Sequence, residues 1–138
     1  MSKYTLPKIK VKDIMKKDVV TVNKDDTIEK LIDIIKKFKY HGYPVIDKRS
    51  KEVVGIVTKS DVIKIFERKT LSKFFATHVE DVMDHYPRII SPETDLEEAV
   101  EILMKEKFRA LPVVKNKKLV GLISKTDIIK QIVKDEKI

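Results

Sequence analysis

Two segments of the chain have nearly the same sequence: Gly55-Ile-Val-Thr58-Lys-Ser-Asp61 and Gly121-Leu-Ile-Ser124-Lys-Thr-Asp127. The similarity extends toward the N-terminus, where Val11-Lys-Asp13-Ile-Met15 recurs as Val79-Glu-Asp81-Val-Met83. Repeated segments in the same order indicate two copies of one small motif. A copy of this size is only marginally stable by itself, so we expect the two copies to pack together and share one core.

The spacing of the repeats defines the domain organisation. The N-terminal segments are 68 residues apart and the later segments 66 apart, so the second copy lacks two residues. Deletions are tolerated in exposed turns, which places this one in the polar stretch 47–52. We divide the chain into an N-terminal lead (1–10), a first copy (11–68), a linker (69–78) and a second copy (79–134).

Each copy predicts the same order of elements: strand, helix, strand, strand, helix. The apolar residues of the first helix fall on one face: Ile28, Leu31, Ile32, Ile35 and Phe38. The predicted strands are 19–22, 43–46, 53–57, 88–91, 111–114 and 119–123, and the predicted helices are 28–38, 59–68, 96–107 and 125–134. Mixed elements with short connections predict an α/β or α+β fold in which two pseudo-symmetric β-α-β-β-α motifs pack sheet to sheet.

Composition excludes several classes of protein. The 138 residues include 30 Lys+Arg against 22 Asp+Glu, a net charge of +8, and no Cys. Without Cys there is no disulfide framework, thiolate zinc site or cysteine nucleophile. Only three Gly are present, too few and too dispersed for a GxGxxG or GxxxxGK[ST] phosphate loop. We see no signal peptide and no apolar run near the ~18 residues of a membrane span, and we expect a cytoplasmic protein.

These motifs resemble the cystathionine-β-synthase (CBS) domain. The resemblance rests on D-[IV]-M, the amphipathic helix, P-V and the segment G-[IL]-[VI]-[TS]-K-[ST]-D-[IV], each present twice and in order. The resemblance covers Val11 to about Val133. The two tandem copies are similar to a CBS pair, or Bateman module, of the stand-alone type found in archaea and bacteria. It implies a homodimer that binds AMP, ADP, ATP or S-adenosylmethionine and has a regulatory role without catalysis.

The chemistry at Thr58 and Asp61 agrees with that resemblance. A helix that begins here presents unpaired N–H groups and a partial positive charge, which suit a phosphate. The Thr58 hydroxyl can donate to a phosphate oxygen, and the Asp61 carboxylate can accept both ribose hydroxyls. A glycine at Gly55 would let a flat base approach the strand backbone. The second copy repeats the arrangement with Gly121, Ser124, Thr126 and Asp127. The alternative is that Thr-x-x-Asp and Ser-x-x-Asp are capping boxes.

The resemblance adds residues around each cleft. Tyr40-His41 aligns with Phe108-Arg109, and this segment borders the nucleotide in the family. Arg109 and His41 are then phosphate contacts, or else solvated cations at a helix end. Tyr40 and Phe108 are base-stacking platforms or, as the alternative, core residues.

By the same resemblance, each cleft borrows residues from the other copy. Met15 and Val20 are expected to face Ser124–Asp127, and Met83 and Arg88 to face Thr58–Asp61. Apolar groups there would enclose adenine, or they are ordinary core residues.

Two functions therefore remain open. The first is an adenosyl-ligand sensor that regulates a partner protein. The second is a nucleic-acid-associated or scaffold protein that keeps the fold without a ligand, which the lysine excess favours. Four polar residues at the end of the linker and the start of the second copy (His78, Asp81, Asp84 and His85) match no metal-site spacing, and we predict no metal and no catalytic residue. The apolar second helices, at 62–66 and 128–133, predict a homodimer.

Overall fold

The computed structural model of the chain describes residues 8–105 and 108–136. Its strands are β1 (Val22–Asn23), β2 (Tyr43–Ile46), β3 (Val53–Val57), β4 (Ala110–Lys115) and β5 (Lys118–Ser124). Its helices are α1 (Ile28–Lys37), α2 (Lys59–Phe66), α3 (Leu71–Ala76), α4 (Leu96–Lys105) and α5 (Lys125–Glu136). This mixture of elements confirms the α+β class. None of the helices in the described ranges is both long and apolar enough to cross a membrane.

The described residues form two compact units whose boundaries differ from those of the copies. We call residues 20–87 the Thr58 unit, and residues 8–19, 88–105 and 108–136 the Ser124 unit. Each unit contains most of one copy together with the segment that opens the other copy. These opening segments are residues 11–19 and 79–87, and each begins with a single 3-10 turn, Val11–Asp13 and Val79–Asp81.

Backbone hydrogen bonds hold each opening segment in its unit. In the Ser124 unit, the Val11 N–H donates to the Thr94 carbonyl at 2.8 Å. Further along, the Lys16 N–H donates to the Leu122 carbonyl at 2.8 Å. In the Thr58 unit the corresponding bond runs from the Asp84 N–H to the Ile56 carbonyl at 2.9 Å. Each segment therefore lies along the last strand of its sheet.

The Thr58 unit has a three-stranded sheet in the order β1-β2-β3. Strand β1 runs parallel to β2, with Val22 opposite Val45. Strand β2 runs antiparallel to β3, with Tyr43 opposite Val57. The helices cover this sheet with fully buried side chains such as Leu31.

In the Ser124 unit, β4 and β5 form an antiparallel hairpin. The predicted strand 88–91 is wrong in extent, because it is reduced to a parallel bridge between Ile90 and Val113. In the first copy, the Lys24 N–H extends the β1 pairing by donating to the Ile46 carbonyl at 3.0 Å. Pro92 stands at that position of the second copy and has no N–H to donate.

Helix α3 lies inside the stretch predicted as a linker. Its apolar residues Leu71, Phe74 and Phe75 follow helical spacing. Phe74 is 5% exposed, and its ring meets that of Phe66 edge to face with 5.3 Å between centroids. This packing orders the segment, which supplies helix α3 to the Thr58 unit.

The β4–β5 turn stores backbone strain that a glycine would relieve. Asn116 and Lys117 both have positive φ, 53° and 68°, and a side chain in that region costs about 1 kcal/mol. We expect Lys117→Gly to raise the free energy of unfolding by about 0.5–1 kcal/mol in urea denaturation. The matched control is Lys115→Gly, which places glycine in a regular strand and is expected to lower stability. Equal losses from both variants would contradict the prediction.

Candidate functional site

A complete capping box stands where β3 gives way to α2. The Thr58 N–H donates to Asp61 Oδ2 at 2.9 Å, and the Asp61 N–H donates to Thr58 Oγ1 at 3.3 Å. The Thr58 hydroxyl also donates to Asp61 Oδ2, at 3.0 Å. The capping alternative from the sequence is therefore present in the structure. These hydrogen bonds use only Oδ2, so Oδ1 of Asp61 takes no part in the cap.

The second copy builds the same arrangement at the junction of β5 and α5. The Ser124 N–H donates to Asp127 Oδ2 at 2.8 Å, and the Ser124 hydroxyl donates to the same oxygen at 3.0 Å. Ser124 is buried, whereas Thr58 is half-buried. Thr126, in the first turn of α5, is exposed. A ligand that accepts from the hydroxyl must compete with the carboxylate of the same cap.

Sheet register brings the other predicted residues of the Thr58 unit to this end. Because β1 is parallel to β2 and β3 is antiparallel to both, the residues before β1, before β2 and after β3 lie at the same end of the sheet. The Val20 N–H donates to Tyr40 Oη at 3.1 Å, which ties the first two segments together. His41 follows Tyr40 and is exposed. We call Val20, Tyr40, His41, Thr58 and Asp61 the Thr58 site.

The Ser124 unit has equivalent residues at the corresponding end of its sheet. Ala110 lies opposite Ser124 in the hairpin, so Arg109 directly precedes the residue that faces the cap. Arg88 lies two residues before the bridge at Ile90, as Val20 lies two residues before Val22. Both arginines are exposed. We call Arg88, Phe108, Arg109, Ser124, Thr126 and Asp127 the Ser124 site.

This grouping differs from the expectation for two residues. By the family resemblance Val20 is expected to face Ser124–Asp127 and Arg88 to face Thr58–Asp61, whereas each belongs to the unit of the other site. The reason is that the chain passes from one unit to the other between residues 19 and 20 and between residues 87 and 88. The opening segments belong to the other copy's unit only up to those points.

The two methionines lie against the two strand glycines. A Cβ on Gly55 would come within 2.5 Å of Met83 Sδ and 2.8 Å of the Asp84 carbonyl oxygen. A Cβ on Gly121 would collide with Met15 in the same way. The methionine thioether thus occupies the Cβ side of each glycine, and the approach of a flat base to the strand backbone stays a prediction. Met15 does lie in the unit of Ser124, and Met83 in the unit of Thr58, as expected.

The aromatic residues before β2 and β4 pack as core. The Tyr40 ring lies 5.4 Å from that of Tyr43, and its hydroxyl accepts from Val20. Phe108 packs against the hydrophobic cluster of the Ser124 unit. These contacts favour the core alternative over a stacking platform. Over the residues described, no three His, Asp or Glu side chains are grouped as metal ligands would be, and this includes His78, Asp81, Asp84 and His85.

Comparison with known proteins extends the likeness along most of the chain. The CBS domain model matches residues 11–68 and 79–134. The inosine-5'-monophosphate dehydrogenase of Methanocaldococcus jannaschii is 34% identical over 123 residues, which are 88% of this chain and 23% of the dehydrogenase. The crystal structure of CBSX2 from Arabidopsis thaliana matches with a TM-score of 0.83 at 26% identity, covering 96% of this chain and 99% of CBSX2. CBSX2 in complex with AMP gives a TM-score of 0.81 at 27% identity, covering 92% and 98%. Since both copies match the family model, the chain belongs to the CBS domain family and carries its domain twice.

Proposed function

We propose that the chain is a regulatory module that binds an adenosyl ligand (AMP, ADP, ATP or S-adenosylmethionine) and catalyses no reaction. The observation that carries the proposal is the duplicated cap. Each unit has a hydroxyl, a carboxylate and a helix N-terminus at one end of its sheet. CBSX2, which has the same fold at 27% identity, forms a complex with AMP.

The chemistry of the caps suits the two polar parts of such a ligand. Ribose hydroxyls donate to the carboxylates of Asp61 and Asp127, where Oδ1 is outside the cap. Phosphate oxygens accept from the Thr58 and Ser124 hydroxyls and from N–H groups at the helix starts. The ligand thus replaces part of the cap and restores the bonds that it breaks.

Regulation follows if the bound and free forms differ in a surface that a partner protein recognises. A ligand shifts such an equilibrium only through its different affinities for the two states. We therefore expect the partner to bind with different affinity to the ligand-free and ligand-saturated protein.

A thermal-shift screen tests the proposal against the nucleic-acid alternative, which the net charge of +8 supports. The probes are AMP, ADP, ATP, S-adenosylmethionine and a short DNA duplex. A ligand at about 100 times its dissociation constant stabilises the protein by about 2.7 kcal/mol. A raised melting temperature with an adenosyl compound supports the proposal. A shift with the duplex alone would support the alternative and contradict the proposal.

We further propose that the module is a homodimer that pairs through α2 and α5. The exposed apolar residues of α2 are Ile63 at 58% and Phe66 at 53% exposure, and those of α5 are Ile129 at 59% and Ile132 at 41%. The side chain of Val133 lies outside the described residues. A groove of about 380 Å³ adjoins α2, lined by Ile32, Ile35, Lys59, Val62, Ile63, Phe66 and Phe74. Apolar surface of this kind marks an interface.

Light scattering checks the assembly. We expect the wild-type protein at tens of micromolar to have twice the chain mass of 16.1 kDa. The double variant Ile63→Glu/Ile129→Glu should give the monomer mass, because it places a charge in the exposed apolar surface of each helix. Tyr86→Glu is the matched control, since Tyr86 is 91% exposed outside both helices. A wild-type monomer at this concentration would refute the homodimer.

A further inference from the structure

The two candidate sites have the same cap but different flanking charges. Two residues before β1, the Thr58 site has Val20, and the equivalent position of the Ser124 site is Arg88. Just before the second strand of each copy, His41 is replaced by Arg109. The Ser124 site thus carries two guanidinium groups where the Thr58 site carries an aliphatic group and an imidazole.

The charge of the surrounding unit has the same asymmetry. Residues 20–87 contain 13 Lys+Arg against 11 Asp+Glu, whereas the Ser124 unit contains 14 against 10. The Ser124 unit therefore has a net charge of +4, twice the +2 of the Thr58 unit. Such a field attracts polyanions before they reach the site.

We propose that the Ser124 site selects polyphosphate nucleotides such as ATP, while the Thr58 site accepts adenosyl ligands with little regard to their charge. A guanidinium donates two parallel hydrogen bonds to a phosphate and stays charged at all working pH values. A neutral nucleoside gains nothing from these groups, and the sulfonium of S-adenosylmethionine is repelled by them. This inference rests on the proposed function, because it assigns ligands to the same two sites.

Single-site proteins measure each site separately. Asp61→Ala impairs the Thr58 site, and Asp127→Ala impairs the Ser124 site. Calorimetric titrations with ATP and adenosine, at pH 8, low salt and with EDTA, give the ratio of their affinities. With Asp61→Ala we expect ATP to bind at least about tenfold more tightly than adenosine. With Asp127→Ala we expect the two affinities to agree within about threefold.

The repeat itself supplies the exchange variants. Adding Arg88→Val/Arg109→His to Asp61→Ala should reduce the ATP preference about tenfold or more, because histidine is largely neutral at pH 8. Adding Val20→Arg/His41→Arg to Asp127→Ala should raise the ATP preference by about the same factor. Partial unfolding of the variant cannot cause such a gain. The matched control is Lys117→Gly/Lys118→Val, which removes two cations at the far end of the β4–β5 hairpin. This control should leave the ratio unchanged.

The outcomes separate the two proposals. Equal ATP-to-adenosine ratios in the two single-site proteins would overturn the site assignment and leave the proposed function standing. Exchange variants that leave the ATP-to-adenosine ratio unchanged would also overturn the site assignment. The same holds if the control Lys117→Gly/Lys118→Val alters that ratio as much as the exchange variants do. If no adenosyl compound binds the wild-type protein, the proposed function fails and this inference fails with it.

Discussion

Asp127→Ala should weaken adenosyl-ligand binding at the Ser124 site by tenfold to hundredfold, and Asp61→Ala should do the same at the Thr58 site. Each carboxylate is expected to accept ribose hydroxyls, and a charge-assisted hydrogen bond is worth about 1.5–3 kcal/mol. Asp→Asn should cost less, because the amide oxygen still accepts. We expect the larger loss at Asp127, whose site also carries Arg109.

The same aspartates also stabilise the fold, so two effects must be separated. Both carboxylates accept from the backbone N–H of their cap residue, at 2.9 Å and 2.8 Å. Loss of such a cap costs about 0.5–2 kcal/mol of stability. Thermal melts therefore accompany the calorimetric titrations, which are run well below the melting temperature of each variant.

A third cap offers the matched control. Thr27 caps α1 by accepting from the Lys30 N–H at 3.3 Å, and it belongs to neither candidate site. Thr27→Ala should lower the melting temperature and leave ligand affinity unchanged. If the aspartate variants behave like Thr27→Ala, the caps are structural only and the ligand-binding assignment is wrong.

Gly121→Ala and Gly55→Ala should each lower the free energy of unfolding by about 1–3 kcal/mol, the usual cost of overpacking. The added methyl group meets Met15 in one case and Met83 in the other. At Gly55 it also comes within 2.8 Å of the Asp84 carbonyl oxygen, whereas at Gly121 the Lys16 carbonyl oxygen is 3.0 Å away. Urea denaturation of the purified variants measures both losses.

Shortening the methionines tests the cause. Because a side chain is the nearest obstacle at both glycines, Met15→Ala should reduce the further loss caused by Gly121→Ala, and Met83→Ala that caused by Gly55→Ala. The relief should be smaller at Gly55, where the backbone oxygen remains too close. Additive losses at both positions would show that the methionine contacts are not the reason for glycine.

The duplication, the α+β class and most elements were predictable from the sequence, because they depend on local signals. Helix α1 shows its apolar periodicity and its Thr27 cap within a dozen residues. The caps at Thr58 and Ser124 are equally local, since both partners lie three residues apart. Such patterns can be recognised in the sequence without knowing which residues pack against them.

Other features depend on contacts between distant parts of the chain. Helix α3 is only six residues long, too short for the spacing of Leu71, Phe74 and Phe75 to predict a helix by itself. The packing of Phe74 on Phe66 is the contact that orders it. The grouping of Val20 with Tyr40 depends on the register of β1 against β2, which no local motif specifies. The methionines beside Gly55 and Gly121 depend on the path of each opening segment, and periodicity does not reveal that path.

The exchanged opening segments also bear on synthesis. Residues 20–87 are one continuous stretch, so the Thr58 unit is complete as soon as that stretch has left the ribosome. The Lys16 N–H can donate to the Leu122 carbonyl only after Leu122 has been synthesised. At roughly 5–20 residues per second, synthesis of the chain from Lys16 to Leu122 takes on the order of 5–20 s. We expect pulsed hydrogen exchange on nascent chains to protect β2 and β3 before Val11 and Lys16. Val11 and Lys16 are thus made before the Thr58 unit but are held in place only after it, and they stay available to chaperones throughout that interval.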